Sequence, residues 1–153
     1  MIKIEQMRQK HIDAVHAVET ASFSIPWPRS SFESELKNGV AIYFVAIDDK
    51  TGDVVGYAGM WSVVTEGHIT NIAVKPERRR EGVGAALLRE CLKTAREKDM
   101  IGVTLEVRVG NSAATRLYAN HGFKVEGIRK NYYYDTKEDA FIMWKTMGAP
   151  EQI

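Results

Sequence analysis

The chain has 153 residues, of which 44% are apolar and 27% are charged, and its formal net charge is +1. This composition is ordinary for one soluble globular domain, and the balance of charges favours neither nucleic acid nor a membrane surface as a partner. No apolar stretch approaches the roughly 20 residues of a membrane span, and the opening MIKIEQMRQK lacks the apolar centre of a signal peptide. We therefore predict a cytoplasmic protein with one domain over residues 1–147 and a frayed tail over residues 148–153.

The first third of the chain predicts a strand followed by two helices. Residues 1–7 alternate as a short strand. Residues 11–23 predict a helix, because Ile12, Val15, Val18 or Glu19, and Phe23 recur at helical spacing. The segment Ile25-Pro26-Trp27-Pro28 interrupts this helix because proline does not fit a helix interior, and Ser30 or Ser31 can start a second short helix.

A meander of strands follows. Residues 40–47 form a nearly continuous apolar run of strand length, DDKTGD is a turn, and residues 54–64 predict a second strand. Residues 65–67 are expected to turn the chain into a third strand over residues 68–74. In that strand the period-two pattern places alternate residues on opposite faces.

The stretch after this strand joins it to a helix through a turn suited to anions. Pro76 ends the strand, and from Val83 the spacing becomes helical. Gly82 and Gly84 therefore lie at or near the helix start. Glycine there lets a ligand approach the backbone N–H groups of the first turn, which are unpaired and lie at the positive end of the helix dipole.

An arginine run, Arg78 to Arg80, precedes this turn and supplies side chains suited to phosphate oxygens. The dinucleotide signature G-x-G-x-x-G is absent, and no Lys follows Gly82 or Gly84 as a nucleoside triphosphate loop would require. What remains, starting at Arg79, is R-x-x-G-x-G-A. The alternative is a helix entry that uses the glycines for geometry and is preceded by solvated arginines.

The second half of the chain contains a carboxylate in the middle of a predicted strand and a tyrosine on a predicted helix. In the strand over residues 103–109, alternation puts Thr104, Glu106 and Arg108 on one face. Asn111 can cap the helix SAATRLYANH, whose second half contains Tyr118. The last predicted segments are a strand over residues 123–128, a Tyr-rich connection over residues 129–137, and a strand over residues 140–147.

Together these segments predict an α/β (α+β) fold in the order β-α-α-β-β-β-α-β-α-β-β, with about seven strands and four helices. This order and R-x-x-G-x-G-A resemble the GCN5-related N-acetyltransferases (GNAT), whose signature cradles the pyrophosphate of acetyl-CoA. The resemblance implies the GNAT fold, with a mixed, mostly antiparallel sheet. Three stretches resemble the bacterial ribosomal-protein-alanine N-acetyltransferases of the RimI family: IPWPRSSF, LEVRVGNSAATRLYANHGF and IRKNYYYDTKEDAFIMWKTM.

The resemblance implies roles for individual residues. It makes Glu106 the general base, acting directly or through water, Tyr118 the general acid and Asn111 a cofactor contact. It also implies that the strands beside the central helix splay apart, so that free backbone groups pair with the pantetheine arm. The cofactor-binding residues expected in this way are Ile72, Ala73, Val74, Arg79, Arg80, Glu81, Gly82, Val83, Gly84, Ala85, Asn111 and Tyr118.

The resemblance further implies a protein N-terminus as acceptor, that of a small-subunit ribosomal protein beginning with alanine. An α-amino group with a pKa near 8 is about one-tenth neutral at pH 7, whereas a Lys amine near 10.4 is neutral in roughly one molecule in two thousand. The predicted acceptor contacts are Trp27, Tyr132, Tyr133 and Tyr134, although Trp27 could instead cover the core. Pro-Trp-Pro and three consecutive tyrosines depart from the family's usual forms, so acceptor identity stays open.

Two other functions remain compatible with the sequence. One is acetylation of a small-molecule amine or a Lys side chain, which would call for an acidic groove, and the other is a non-catalytic acyl-CoA-binding module. Glu66 and His68 are competing candidates for the base. Cys91 lies on an apolar helix face and is predicted to be core, and the four histidines are dispersed, so we expect no metal site. The sequence leaves the oligomeric state open.

Overall fold

The computed structural model describes residues 1–133 and 135–147. Tyr134 and the predicted tail, residues 148–153, lie outside the described residues. The elements follow the predicted order: β1 (Ile2–Gln6), α1 (Ile12–Ser22), α2 (Arg29–Leu36), β2 (Ala41–Asp48), β3 (Val54–Val63), β4 (Glu66–Val74), α3 (Val83–Glu97), β5 (Gly102–Arg108), α4 (Ser112–Asn120), β6 (Lys124–Arg129) and β7 (Ala140–Thr146).

The seven strands form one sheet in the order β1-β2-β3-β4-β5-β7-β6. Every neighbouring pair is antiparallel except β4 and β5, which are parallel. The predicted mixed and mostly antiparallel sheet is therefore confirmed. The predicted turn over residues 65–67 is wrong at two positions, because Glu66 and Gly67 pair with Val63 and Ser62 and begin β4.

Helices cover both faces of the sheet. The predicted apolar face of α3 is buried in one core, with Leu87, Leu88 and Cys91 fully enclosed. Helices α1 and α2 cover the opposite face, where a second core gathers around Phe32 and Tyr57. Phe23 does not join that core: α1 ends at Ser22, and Phe23 has an extended backbone and is 39% exposed.

A β-bulge interrupts the predicted alternation of β4. Gly59 pairs with Asn71 and Met60 with Ile69, which leaves Thr70 as an extra residue in β4. A bulge of this kind reverses the faces of the residues beyond it. Ile69, Ile72 and Val74 thus belong to the α3 side, while Thr70 and Asn71 both contact tyrosines on the α1 side.

The parallel strands β4 and β5 pair over only a short length. Their register covers Glu66 with Gly102, Gly67 with Val103 and His68 with Thr104. Beyond these pairs the two strands diverge, as predicted. A cavity of about 210 Å³ opens between the remaining halves of the strands, and the functional candidates lie around it.

Candidate active site

The turn before α3 has the geometry of an anion site. Gly82 has φ +83, a left-handed conformation that glycine adopts without strain, and nothing lies within 4 Å of where its Cβ would be. The first helical hydrogen bond runs from the N–H of Ala86 to the carbonyl of Gly82 at 3.0 Å. The N–H groups of Val83, Gly84 and Ala85 precede that bond, so they are the donors that a helix start offers to an anion.

These residues line a cavity of about 580 Å³ between the turn and α4. Its size and its row of backbone donors suit an extended ligand with phosphate groups. The predicted cofactor residues that line it are Ile72, Ala73, Val74, Arg79, Arg80, Gly82, Val83, Gly84, Ala85, Asn111 and Tyr118. Glu81, by contrast, directs its carboxylate to the Arg78 guanidinium at 3.0 Å.

The three arginines of the run differ in their contacts with other residues of the chain. Arg78 also lies 3.1 Å from the carboxylate of Asp48, so two carboxylates compensate its charge. The Nε of Arg79 donates to the carbonyl of Val74 at 3.3 Å, which holds this side chain at the end of β4. Arg80 has φ +67, an unusual conformation for a residue with a Cβ. Arg79 and Arg80 are therefore better suited than Arg78 to contact phosphate.

Glu106 lies on β5 at the diverging part of the two parallel strands, with 11% of its side chain exposed. Its Oε1 is 2.8 Å from the Nε2 of His68, and its Oε2 is 3.3 Å from the Nε of Arg129. The hydrogen bond from His68 holds the pKa of the Glu106 carboxyl below its ordinary value, and the charge of Arg129 adds to the effect against the opposing burial. Glu106 is consequently ionised at neutral pH.

The two competing base candidates are placed very differently. His68 is bonded directly to Glu106, so these two residues form one pair rather than two independent sites. Glu66 is exposed at the start of β4, opposite Val63 and Gly102. It lies at the paired end of the two strands, away from the opening between them.

Tyr118 and Asn111 approach the same opening from α4. Tyr118 is buried, and it lines both the larger cavity and the one between the strands. Burial raises its pKa, so the hydroxyl stays protonated and remains a donor. Asn111 caps α4 by accepting a hydrogen bond from the N–H of Ala114 at 3.0 Å, as its position predicted. Glu106, Tyr118 and Asn111 thus line one cavity.

A third cavity, of about 370 Å³, adjoins this one. Three of the predicted acceptor contacts line it, and after that prediction we call it the acceptor cavity. Trp27 lines it, and its ring also lies 5.4 Å from that of Phe32, so Trp27 contacts both the core and the cavity. Tyr132 and Tyr133 form another wall, and burial raises the pKa of Tyr133 to about 12. Tyr134, the remaining predicted contact, is outside the part of the chain that the structure describes.

Sequence reasoning missed several residues that line the acceptor cavity, among them Arg108 and Glu19. Arg108 borders all three cavities, with its guanidinium 4.0 Å from the centre of the Tyr133 ring and 2.9 Å from Asp135. The strand alternation had placed it on the same face as Glu106, which was the available signal. Glu19 is only 3% exposed, and the signal there was a carboxylate at a core position of an amphipathic helix.

The described residues also bear on nucleophile, metal and membrane roles. Cys91 is buried, and burial raises the pKa of its thiol to about 12, so it is not an activated nucleophile. Within residues 1–133 and 135–147, no three His, Cys, Asp or Glu side chains gather as metal ligands. Over the same residues, none of the helices is long and apolar enough to cross a membrane.

Comparison with known proteins assigns a family to this arrangement. The Acetyltransferase (GNAT) family model matches residues 12–123. A Bacillus subtilis (strain 168) protein, named provisionally as a [ribosomal protein bS18]-alanine N-acetyltransferase, is 43% identical over 145 residues, 95% of each chain. The [ribosomal protein bS18]-alanine N-acetyltransferase of Escherichia coli (strain K12) is 32% identical, over 94% of this chain and 96% of its own. A crystal structure of the Escherichia coli ribosomal-protein-S18-alanine N-acetyltransferase superposes with a TM-score of 0.88 at 30% identity, with both chains fully covered.

Proposed function

This chain belongs to the acetyltransferase (GNAT) family, and from that membership we propose that it transfers an acetyl group from acetyl-CoA to a protein N-terminus. The acceptor we propose is the N-terminal alanine of a small-subunit ribosomal protein, which the names of its relatives specify for them. A ribosomal acceptor would place the reaction in the cytoplasm.

One observation carries the proposal. A helix-start anion site, an ionised carboxylate and a protonated phenol line cavities that meet at the opening between β4 and β5. Tyr118 and Asn111 belong to both cavities, so a ligand held at the turn before α3 can extend to Glu106. This arrangement supports transfer within a ternary complex, without a covalent enzyme intermediate.

Acetyl-CoA would be held mainly by backbone groups. The N–H groups of residues 83–85 and the side chains of Arg79 and Arg80 would bind its pyrophosphate. The unpaired edge of β4, at Ile72 and Val74, would pair with the extended pantetheine arm in the manner of an added strand. Bound there, the cofactor supplies an acyl group activated as a thioester.

Two side chains would then transfer protons, one as an acceptor and one as a donor. Glu106, kept ionised by His68 and Arg129, accepts the proton that the attacking amine loses, directly or through water. Tyr118, kept protonated by burial, donates to the departing thiolate. An α-amine suits this site because a substantial fraction of it is already neutral near pH 7.

A panel of acceptors tests the function. We expect thiol release from acetyl-CoA with peptides that begin with alanine, and little release with polyamines or other small amines. Each peptide should carry an internal Lys and be paired with a copy whose N-terminus is blocked. Turnover of the blocked copy would assign the reaction to the Lys side chain, and turnover of small amines alone would assign it to a small-molecule acceptor. Either result would contradict the proposal.

Trp27 should contribute to binding of the acceptor and not of the cofactor. Trp27→Ala removes a ring from the acceptor cavity, so we expect the peptide KM to rise about tenfold while the KM for acetyl-CoA stays within about twofold. Trp27→Phe keeps an aromatic ring beside Phe32 and should recover much of the loss. If the two KM values moved together, or neither moved, Trp27 would be a core residue only.

A further inference from the structure

A buried carboxylate lies behind the acceptor cavity. Glu19, in the last turn of α1, is 3% exposed and packs among the residues of the α1-side core. Its Oε2 accepts a hydrogen bond from the backbone N–H of Trp27 at 2.8 Å, and its Oε1 accepts one from the hydroxyl of Tyr57. Taking a carboxylate out of water is costly unless such donors replace the water. Through these two bonds Glu19 connects the α1–α2 loop to β3.

The hydrogen bonds continue from Tyr57 into the active site. The Tyr57 oxygen accepts from the side-chain amide of Asn71 at 2.9 Å, and the Asn71 carbonyl oxygen accepts from the hydroxyl of Thr70 at 2.8 Å. Thr70 and Asn71 are the two residues that the β4 bulge places on the same face. They line both the acceptor cavity and the cavity that contains Glu106.

The bonds to Glu19 fix the direction of the others. Both carboxyl oxygens of Glu19 accept hydrogen bonds, so the Trp27 amide and the Tyr57 hydroxyl both point towards it. Burial and the neighbouring Glu19 raise the pKa of Tyr57, so its hydroxyl stays protonated and keeps donating. With its only hydrogen committed to Glu19, the Tyr57 oxygen is left as the acceptor for Asn71.

We propose that Glu19 is a positioning residue of the acceptor cavity: it sets the Trp27 backbone on one wall and, through Tyr57, the Asn71 side chain on another. The inference rests on the proposed function, in that the cavity receives the acceptor. Glu19 touches neither the acetyl-CoA turn nor Glu106, so its effect should be confined to acceptor binding. Glu19 would thereby preorganise the cavity for peptide binding.

Three variants test this role. Glu19→Gln keeps the shape but presents an NH₂ group where one of the two donors needs an acceptor. We expect it to raise the peptide KM about tenfold and to leave the acetyl-CoA KM within about twofold. Tyr57→Phe removes the hydroxyl that bonds to both Glu19 and Asn71 but leaves the bond between Glu19 and the Trp27 amide, so it should raise the peptide KM less. Both substitutions act on one network, so their effects on the peptide KM should not multiply. The peptide KM of the double variant should be close to that of Glu19→Gln alone.

The control is Val15→Ala, a fully buried position on the same helix with no part in the network. It should destabilise the same core without changing either KM. Exchange of the Trp27 backbone amide, followed by NMR without substrates, gives a second readout: it should accelerate in Glu19→Gln and stay slow in Val15→Ala.

The outcomes separate the two proposals. An unchanged peptide KM in Glu19→Gln, an equal rise in the acetyl-CoA KM, or a Trp27 amide as protected as in the unmodified protein would overturn the positioning role. Failure of the unmodified protein to acetylate any peptide would instead refute the proposed function. The Trp27 exchange would then show whether Glu19 still holds the loop.

Discussion

Glu106→Gln should lower kcat by about ten- to a thousandfold while acetyl-CoA binding stays intact. The substitution keeps the side-chain volume on β5 and removes the group proposed to accept the amine proton. The protein should stay folded, since the amide can still bond to His68 and Arg129. Steady-state kinetics with a peptide acceptor, together with calorimetry of acetyl-CoA binding, would measure both effects.

The charge states of Glu106 and of the acceptor amine predict how the rate varies with pH. His68 and Arg129 lower the pKa of Glu106, so in the unmodified protein the carboxylate is ionised throughout the neutral range. The rate should therefore rise with pH as the acceptor amine loses its proton near pH 8, with no step from Glu106 in that range. In Glu106→Gln, high pH should recover part of the loss because more amine is already neutral.

Tyr118→Phe is the matched control, since it removes one hydroxyl from the same cavity. It should also lower kcat, but high pH should rescue it little, because the missing function is donation to the leaving thiolate. Near-normal kcat for Glu106→Gln, with collapse for Glu66→Gln or His68→Ala, would show that the base lies on β4. His68→Ala should raise the Glu106 pKa towards its ordinary value, still well below neutral, and so cost less than Glu106→Gln.

Gly84→Glu should weaken acetyl-CoA binding by at least about a hundredfold. The new carboxylate would occupy the helix start where the pyrophosphate is proposed to bind, and it would repel the phosphates as well as fill their space. The helix itself should tolerate the change. A Cβ at Gly84 would lie 3.5 Å from Leu117 and 3.8 Å from Val74, which are ordinary contacts, and a negative charge is favourable at a helix N-terminus.

Two further substitutions at Gly84 separate the effect of side-chain bulk from that of charge. Gly84→Ala adds one methyl group and should cost little affinity, whereas Gly84→Gln adds the bulk without the charge and should fall between Ala and Glu. Calorimetric titration of each folded variant with acetyl-CoA would rank them. Equal affinity for Gly84→Glu and the unmodified protein would place the cofactor elsewhere.

Much of the fold was predictable because its periodicities are local. The alternation of β5 correctly placed Glu106 and Arg108 on one face, and the 3.6-residue spacing of α3 identified its buried side. Proline and glycine marked the breaks between elements with small errors at their ends, as at Glu66 and Gly67. These signals depend only on neighbours along the chain, so no tertiary information was needed.

The bulge in β4 could not be predicted from local periodicity. The residues before and after Thr70 are compatible with an unbroken strand, and the extra residue appears only in the pairing with β3. The bulge turns Thr70 and Asn71 towards the acceptor cavity and Ile72 towards the α3 side. The register of a strand pair, even of consecutive strands such as β3 and β4, is set by how the strands pack and not by the local pattern of either one.

The sequence alone determined the family resemblance, the anion-binding turn and the candidates Glu106, Tyr118 and Asn111, because each lies in a contiguous motif. Only the tertiary structure decided which side chains act on one another. The pairing of Glu106 with His68 and Arg129 joins residues 38 and 23 positions apart, and the bond between Tyr57 and Glu19 spans 38. Such contacts arise where a splayed sheet and its covering helices bring distant segments together, and that proximity lowers the pKa of Glu106.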